Sequence, residues 1–186
     1  CPNWYWPAYA TMCEEYDREF LTYEFLDENF EFNLEEFTKA LDFSLEKKDR
    51  ALCVFNSPAN NPTGFSIEDS MWDKILKIIN ERAVDGKYIT ILLDVAYIEF
   101  AGDGRQKKFF QKFGDLPENI ITTVAYSMSK SYTAYGLRSG ACIIISSSEK
   151  IANQAFDSMK HSNRAIWSNI THAGMKILVD LEKDEK

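Results

Sequence analysis

The chain has 186 residues, of which 45% are hydrophobic and 27% are charged, and its formal net charge is −8. This is a globular composition, long enough for one domain with a hydrophobic core. The negative charge argues against nucleic acid or an anionic membrane surface as a partner, and no apolar run approaches the length of a membrane span. The four cysteines match no metal-binding spacing and are predicted to be reduced thiols in a cytoplasmic protein.

The first half of the chain alternates between helix-like and strand-like segments. Asn33 can cap a helix, with Glu36 at the capping-box position and apolar residues at helical spacing behind it. Short, continuously apolar runs bounded by turn residues indicate strands. The elements predicted in this half are, in order, a helix at Ala8–Glu15, a strand at Arg18–Phe25, a helix at Leu34–Lys47, a strand at Ala51–Phe55, a helix from Ser66 to Gly86 and a strand at Ile89–Asp94.

The second half repeats the same alternation. Its predicted elements are a helix at Lys107–Phe113, strands at Ile120–Tyr126 and Ala141–Ile145, a helix from Ser147 or Ser148 towards Lys160, and a last helix at Asn169–Glu182. The strands are apolar throughout instead of alternating, which is typical of a mostly parallel sheet with helices on both faces. We therefore predict an α/β fold, a three-layer αβα sandwich, in which ligands bind at the carboxyl ends of the strands.

Polar residues follow three of the predicted strands. Asn61 follows the first of them, Asp94 and Tyr97 follow the second, and the segment Ser127–Arg138 follows the third. A lysine among apolar neighbours can lose its proton and act as an amine nucleophile, while hydroxyls and an arginine can bind a phosphate. We predict that this segment is a tight loop between two buried strands, and it suggests a phosphate-bearing aldehyde held on Lys130.

Four motifs in this order carry a family resemblance. They are Asn61-Pro62-Thr63-Gly64, Asp94-Val95-Ala96-Tyr97, Ser127-Met128-Ser129-Lys130, and Arg138 eight residues after the lysine. Together they resemble the class I and II aminotransferases, pyridoxal-phosphate enzymes of the aspartate aminotransferase fold type. The resemblance extends over nearly the whole chain. It implies that residues 1–186 form part of the large cofactor-binding domain, with an N-terminal segment and a C-terminal small domain outside this chain.

The resemblance also implies the catalytic roles. Lys130 would form an imine with pyridoxal 5′-phosphate and then move the alpha proton of the substrate. Asp94 would pair with the pyridine nitrogen and keep it protonated, which makes the ring a better electron sink. Tyr97 and Asn61 would bind the phenolic oxygen of the cofactor, and the Asn61–Pro62 peptide bond is expected to be cis.

The remaining implied residues hold the other parts of the cofactor. Ser127, Ser129 and Arg138 would bind the phosphate, with Arg138 supplying the positive charge. Trp4 would stack on the pyridine ring, with Trp6 as the alternative.

Substrate binding is implied for one residue of the chain. Arg164 resembles an arginine that reaches the distal carboxylate of a dicarboxylic substrate across a dimer, although Ile170-Thr171 replace two prolines of the family pattern. The implied function is transamination between an alpha-amino acid and a 2-oxo acid, with an aspartate-type substrate as one option, in a cytoplasmic homodimer. A carbon–sulfur beta-lyase or related eliminase of the same fold, or a non-catalytic cofactor-sensing regulator domain, stays open as an alternative.

Overall fold

A four-stranded sheet forms the centre of the computed structural model, which describes residues 1–84, 86–102 and 105–183, without the side chains of 105–107 and 182. Its strands are β1 (Arg50–Asn56), β2 (Tyr88–Asp94), β3 (Ile120–Ser127) and β4 (Gly140–Ile145), in that spatial order. The first three strands are parallel and β4 is antiparallel to β3. The mostly parallel α/β fold predicted from the sequence is confirmed.

Six α-helices accompany the sheet in the part of the chain that the structure describes. They are α1 (Ala8–Glu15), α2 (Leu34–Lys48), α3 (Asp69–Arg82), α4 (Met128–Ser131), α5 (Glu149–Ile166) and α6 (His172–Lys183), with 3₁₀ helices at Ile98–Phe100, Arg105–Phe113 and Tyr135–Leu137. The predicted cap of α2 is confirmed, because the Asn33 side chain accepts a hydrogen bond from the backbone N–H of Glu36 at 3.1 Å. The positive charges of Lys47 and Lys48 in its last turn interact favourably with the negative end of the helix dipole.

The core lies between one face of the sheet and the helices α2 and α3. Ile89, Ile91 and Leu93 of β2 point to this face and are fully buried. The Trp72 ring of α3 lies 5.2 Å from that of Phe55 in β1, centroid to centroid. Burying a large apolar side chain contributes about 1.5–3 kcal/mol to the free energy of unfolding. This face therefore stabilises the sheet whose strand ends carry the polar residues.

Other apolar surfaces of the chain are open. Leu52 on the opposite face of β1 is 55% exposed, and a cavity of about 760 Å³ lies between α1, α2 and β1. Helices α5 and α6 and the turn between them also expose large apolar residues, namely Phe156, Met159, Ile166, Trp167, Met175, Ile177, Val179 and Leu181. Large apolar side chains exposed in this number are typical of surfaces that pack against other segments or other chains.

Two local predictions are wrong. The segment Arg18–Phe25 is not a strand, because Tyr23 alone pairs there, through an isolated bridge to Pro2. The apolar side chains that suggested a strand are instead buried in the core, among them Tyr23 and Phe25. The segment Ser127–Arg138 is not a simple loop but contains α4 and a 3₁₀ helix.

The cysteines and the helices bear on two further sequence predictions. All four cysteines are free thiols, as predicted, and burial raises the pKa of Cys53 to about 11. Among the described residues, none of the helices has the length and apolar character needed to cross a membrane.

Candidate active site

The carboxyl ends of β1, β2 and β3 meet at one edge of the sheet. The strand register pairs Asn56 with Asp94 and Asp94 with Ala125, so the three parallel strands end side by side. β3 continues to Ser127, which caps α4, and α4 carries Lys130. The sheet therefore brings an amide, a carboxylate and an amine to one edge, where parallel sheets bind their ligands.

Two side-chain hydrogen bonds hold the Asp94 carboxylate, and the Asn56 side chain bonds the Asp94 backbone carbonyl. One carboxylate oxygen, Oδ1, accepts from the backbone N–H of Ala96 at 3.1 Å, and the other, Oδ2, accepts from the hydroxyl of Tyr9. The backbone carbonyl of Asp94 accepts from the side-chain amide of Asn56 at 3.0 Å. The carboxylate is half-buried at the end of β2 and its orientation is fixed from both sides.

Asn56 links the end of β2 to the loop that follows β1. While its Nδ2 donates to Asp94, its Oδ1 accepts from the backbone N–H of Asn61 at 2.7 Å. Both polar atoms of this buried amide are therefore used, and they fix the backbone of Asn61 relative to that of Asp94. The predicted cis peptide bond at Asn61–Pro62 is confirmed, and Ser57–Pro58 is cis as well.

Lys130 lies between two aromatic rings. Its Nζ is 5.6 Å from the centroid of the Tyr97 ring and 5.2 Å from that of Tyr135. Within the described ranges, Lys130 forms no salt bridge. The neighbouring Ser131 hydroxyl is buried and has no hydrogen-bond partner among the described residues. An amine and a hydroxyl are thus both available at this point to a bound polar group.

Arg138 contacts one of the two predicted serines directly, and that serine is hydrogen-bonded to the other. Its Nη1 donates to Ser129 Oγ at 3.5 Å and to the backbone carbonyl of Tyr135 at 3.0 Å, and Ser127 Oγ accepts from the Ser129 N–H at 3.1 Å. The guanidinium carbon lies 4.7 Å from the centroid of the Tyr135 ring. Because these partners are neutral, the charge of Arg138 is free to meet an anion such as a phosphate.

The backbone at Arg138 is unusual. Its φ of 53° is in the left-handed region, which costs a non-glycine residue about 1 kcal/mol or more. β4 begins two residues later at Gly140, where an added Cβ would lie 2.4 Å from the carbonyl oxygen of Tyr126. A close approach of the two strands therefore follows directly after the arginine, and this approach requires glycine.

Trp4 and Trp6 lie beside the site in different ways. The Trp4 backbone carbonyl accepts a hydrogen bond from the Asn60 side chain at 3.3 Å, and its indole is 54% exposed. The Trp6 ring packs edge-on against the Tyr9 ring at 5.6 Å between centroids. Trp4 is thus tied to the residue before Asn61 and Trp6 to the phenol that holds Asp94, so the stacking role of Trp4 stays a prediction.

Arg164 stands apart from the other predicted site residues. It lies near the end of α5, and its Nη1 donates to Ser168 Oγ at 2.7 Å and to the Ser168 carbonyl at 3.3 Å. None of its described contacts reaches the strand ends. Its predicted role in binding substrate therefore stays a prediction as well.

The chemistry of these donors fits pyridoxal phosphate. Asp94 can meet a ring nitrogen, Lys130 can meet an aldehyde, and Arg138 with its two serines can meet a phosphate. With the exception of Arg164, the contacts described above place the predicted residues in two groups, one around Asp94 and one around Lys130. Tyr97 joins the groups, because it follows Asp94 by three residues and its ring faces Lys130.

The sequence analysis missed three residues of this site. Asn56 could have been found, because it is a polar residue at the end of a predicted strand and so obeys the rule that identified Asp94. Tyr9 and Tyr135 gave no such signal, because aromatic residues at those positions are equally typical of packing. Their roles depend on contacts with Asp94, Lys130 and Arg138 that require the fold.

Replacing Asn56 by alanine is expected to destabilise the protein by about 2–4 kcal/mol, because two hydrogen-bonding groups at the strand ends lose a buried partner. Urea unfolding of the purified protein measures this change. Asn80→Ala, at an exposed position of α3, is the matched control and should change stability by about 0.5 kcal/mol or less. Equal unfolding free energies for the two variants would show that Asn56 does not carry the link.

Comparison with known proteins places the chain in a family. The family profile described as "Aminotransferase class I and II" matches residues 1–186. An aspartate aminotransferase of Salmonella typhi is 28% identical over 179 residues, which are 95% of this chain and 42% of that protein. The chain therefore spans less than half the length of this relative.

Solved structures agree in fold. An aminotransferase from Anaerococcus prevotii has a TM-score of 0.96 at 49% identity. The match covers 98% of this chain and 45% of the Anaerococcus prevotii chain. An aromatic-amino-acid aminotransferase from Burkholderia pseudomallei, described as covalently bound to pyridoxal phosphate, has a TM-score of 0.70 at 24% identity and covers 91% of this chain and 41% of its own. With the profile matching from the first residue to the last, the chain belongs to the class I and II aminotransferase family.

Proposed function

We propose that the protein containing this chain is a pyridoxal-phosphate-dependent aminotransferase that moves an amino group between an alpha-amino acid and a 2-oxo acid. The observation that carries the proposal is the meeting of Asp94, Lys130 and Arg138, with their partners, at one edge of the sheet. Membership of the aminotransferase family supports it.

The proposed roles are those that the family resemblance implies, and the placement of Asp94 and Lys130 at one edge of the sheet supports them. Bound pyridoxal phosphate supplies the electron sink that makes the alpha proton of an amino acid removable. Asp94 holds a proton on the ring nitrogen, and Asn61 and Tyr97 donate to the phenolic oxygen. Lys130 anchors the cofactor and afterwards takes and returns the proton at the alpha carbon of the substrate.

The other side chains bind and cover the cofactor in this proposal. Arg138 supplies the charge for the phosphate, and the hydroxyls of Ser127 and Ser129 supply hydrogen bonds. The indole of Trp4 covers one face of the ring, since a flat aromatic surface packs well on a flat cofactor.

A donor screen on the complete protein tests the proposed reaction. Aspartate, glutamate, aromatic and sulfur-containing amino acids are offered one at a time with a 2-oxo acid as acceptor. We expect a new amino acid to appear in an amount equal to the oxo acid formed from the donor. Release of ammonia from a sulfur amino acid without any acceptor would instead indicate a lyase, and no product from any donor would indicate a non-catalytic protein.

We propose an aspartate-type substrate, on the grounds that relatives such as the Salmonella typhi protein are named aspartate aminotransferases and that Arg164 offers a charge for a distal carboxylate. Arg164→Ala should then lower kcat/KM for aspartate about 10- to 100-fold, because a hydrogen bond to a charged group is lost. Activity on an uncharged aromatic donor should change far less. Arg18→Ala, at another exposed arginine, is the control.

The result with aspartate tests only the proposed substrate type and not the proposed transamination. If Arg164→Ala and Arg18→Ala retain equal activity on aspartate, Arg164 does not bind the distal carboxylate. The transamination proposal would still stand, because it depends on Asp94 and Lys130.

We further propose that the chain is the middle of the large domain of a cytoplasmic homodimer, with an upstream segment and a C-terminal small domain elsewhere in the protein. The open face of β1 and the exposed apolar residues of α5 and α6 support the further segments and the second subunit, because they offer surfaces for them. Sedimentation of the complete protein should give the mass of two subunits.

A further inference from the structure

Tyr9 is a buried phenol that none of the roles above uses. It lies on α1, is 7% exposed, and donates its hydroxyl hydrogen bond to Oδ2 of Asp94, a residue 85 positions later in the chain. No other element supplies a side-chain donor to this carboxylate in the part of the chain that the structure describes. The contact joins a helix near the start of the chain to the end of β2.

The phenol is held as a neutral donor. Burial, and then the neighbouring negative charge of Asp94, raise the pKa of Tyr9 far above its ordinary value. The hydroxyl is therefore protonated at neutral pH, and it donates to Asp94. A neutral, permanent donor stabilises an ionised carboxylate without competing with it for a proton.

The ring of Tyr9 is itself fixed. The Trp6 ring packs against it edge-on, with an angle of 86° between the planes, and its backbone N–H donates to the Trp6 carbonyl at 3.0 Å. The orientation of the hydroxyl towards Asp94 is therefore fixed. Together with the Ala96 N–H on the other oxygen, it stops the carboxylate from rotating.

We infer that Tyr9 is a positioning residue of the proposed enzyme: its hydroxyl holds the Asp94 carboxylate in the orientation in which it meets the ring nitrogen of pyridoxal phosphate. This inference rests on the proposed function. Tyr9 does not touch the reacting atoms in this scheme and acts through Asp94. A carboxylate stabilises a nearby positive charge, such as a protonated ring nitrogen, better when hydrogen-bond partners fix its orientation beforehand.

The test is Tyr9→Phe in the complete protein, a change that keeps the ring and removes the hydroxyl. Titration of the cofactor-free protein with pyridoxal phosphate should show an approximately tenfold higher Kd, about the loss of one hydrogen bond to a charged group. The ¹⁵N chemical shift of the ring nitrogen in the bound, labelled cofactor should move towards that of the unprotonated ring. Tyr5→Phe is the control, because Tyr5 packs its ring on Phe20 at 4.9 Å in the same segment.

A double-mutant cycle separates positioning from a general effect on folding. In an Asp94→Asn background, Tyr9→Phe should cause no further rise in Kd, because the carboxylate on which Tyr9 acts is already gone. An equal rise in both backgrounds would overturn the inference, as would an unchanged Kd and ¹⁵N shift in the single variant. If the unaltered protein binds no pyridoxal phosphate, the proposed function itself fails and the inference fails with it.

Discussion

Lys130→Ala is expected to abolish the visible absorbance of the cofactor-loaded protein. That band would arise from covalent attachment of pyridoxal phosphate, and Lys130 is the amine that α4 presents near the Tyr97 and Tyr135 rings. Alanine leaves the methyl stub of the side chain on α4 but removes the nucleophile. Turnover should fall at least about a thousandfold, because the group proposed to move the alpha proton is lost as well.

The control and the measurement for Lys130 are direct. Lys150→Ala changes an exposed lysine at the start of α5 and should leave the spectrum and turnover unchanged. Absorbance is recorded after pyridoxal phosphate is added and the unbound part is removed. A mutant that keeps the band would mean that another amine holds the cofactor, and the assignment of Lys130 would be withdrawn.

The strand ends were predictable from the sequence because parallel sheets obey a simple rule. Their buried strands are apolar throughout, so a polar residue directly after such a run stands at the edge of the sheet. That reasoning predicted that Asp94, Lys130 and the loop of Asn61 follow three neighbouring strands, and the structure has them after β2, β3 and β1. The family resemblance then supplied what the rule could not, namely a chemical identity for the ligand that these groups suit.

Contacts between segments distant in the chain could not be predicted from the sequence. Tyr9 belongs to a dense aromatic stretch in which Trp6 and Tyr5 are equally plausible candidates for any role, and only the packing of α1 selects it for Asp94. The segment Arg18–Phe25 failed for a related reason. Its apolar residues are buried, but they reach the core from an irregular backbone, and residue type alone does not distinguish that from a strand.

Asp94→Asn is expected to lower turnover about 100- to 1,000-fold while the cofactor stays bound. The substitution keeps the shape of the side chain: the amide oxygen can still accept from the Ala96 N–H, and the amide nitrogen can donate to the Tyr9 oxygen. The negative charge that is proposed to face the ring nitrogen is lost, and removal of one partner of a buried charge pair costs about 3–5 kcal/mol. Lys130 and Arg138 remain to hold the cofactor, so the loss should fall mainly on kcat.

The design of this experiment isolates the charge of Asp94. Asp157→Asn removes one negative charge from an exposed position of α5, so the net charge of the two variants is equal, and it should leave turnover unchanged. Kinetics with a saturating amino donor give kcat, and absorbance after removal of unbound pyridoxal phosphate gives the cofactor content. Near-normal turnover in Asp94→Asn would mean that the ring nitrogen pairs elsewhere. A normal kcat with weak cofactor binding would limit Asp94 to anchoring, and its proposed part in stabilising the electron sink would have to be given up.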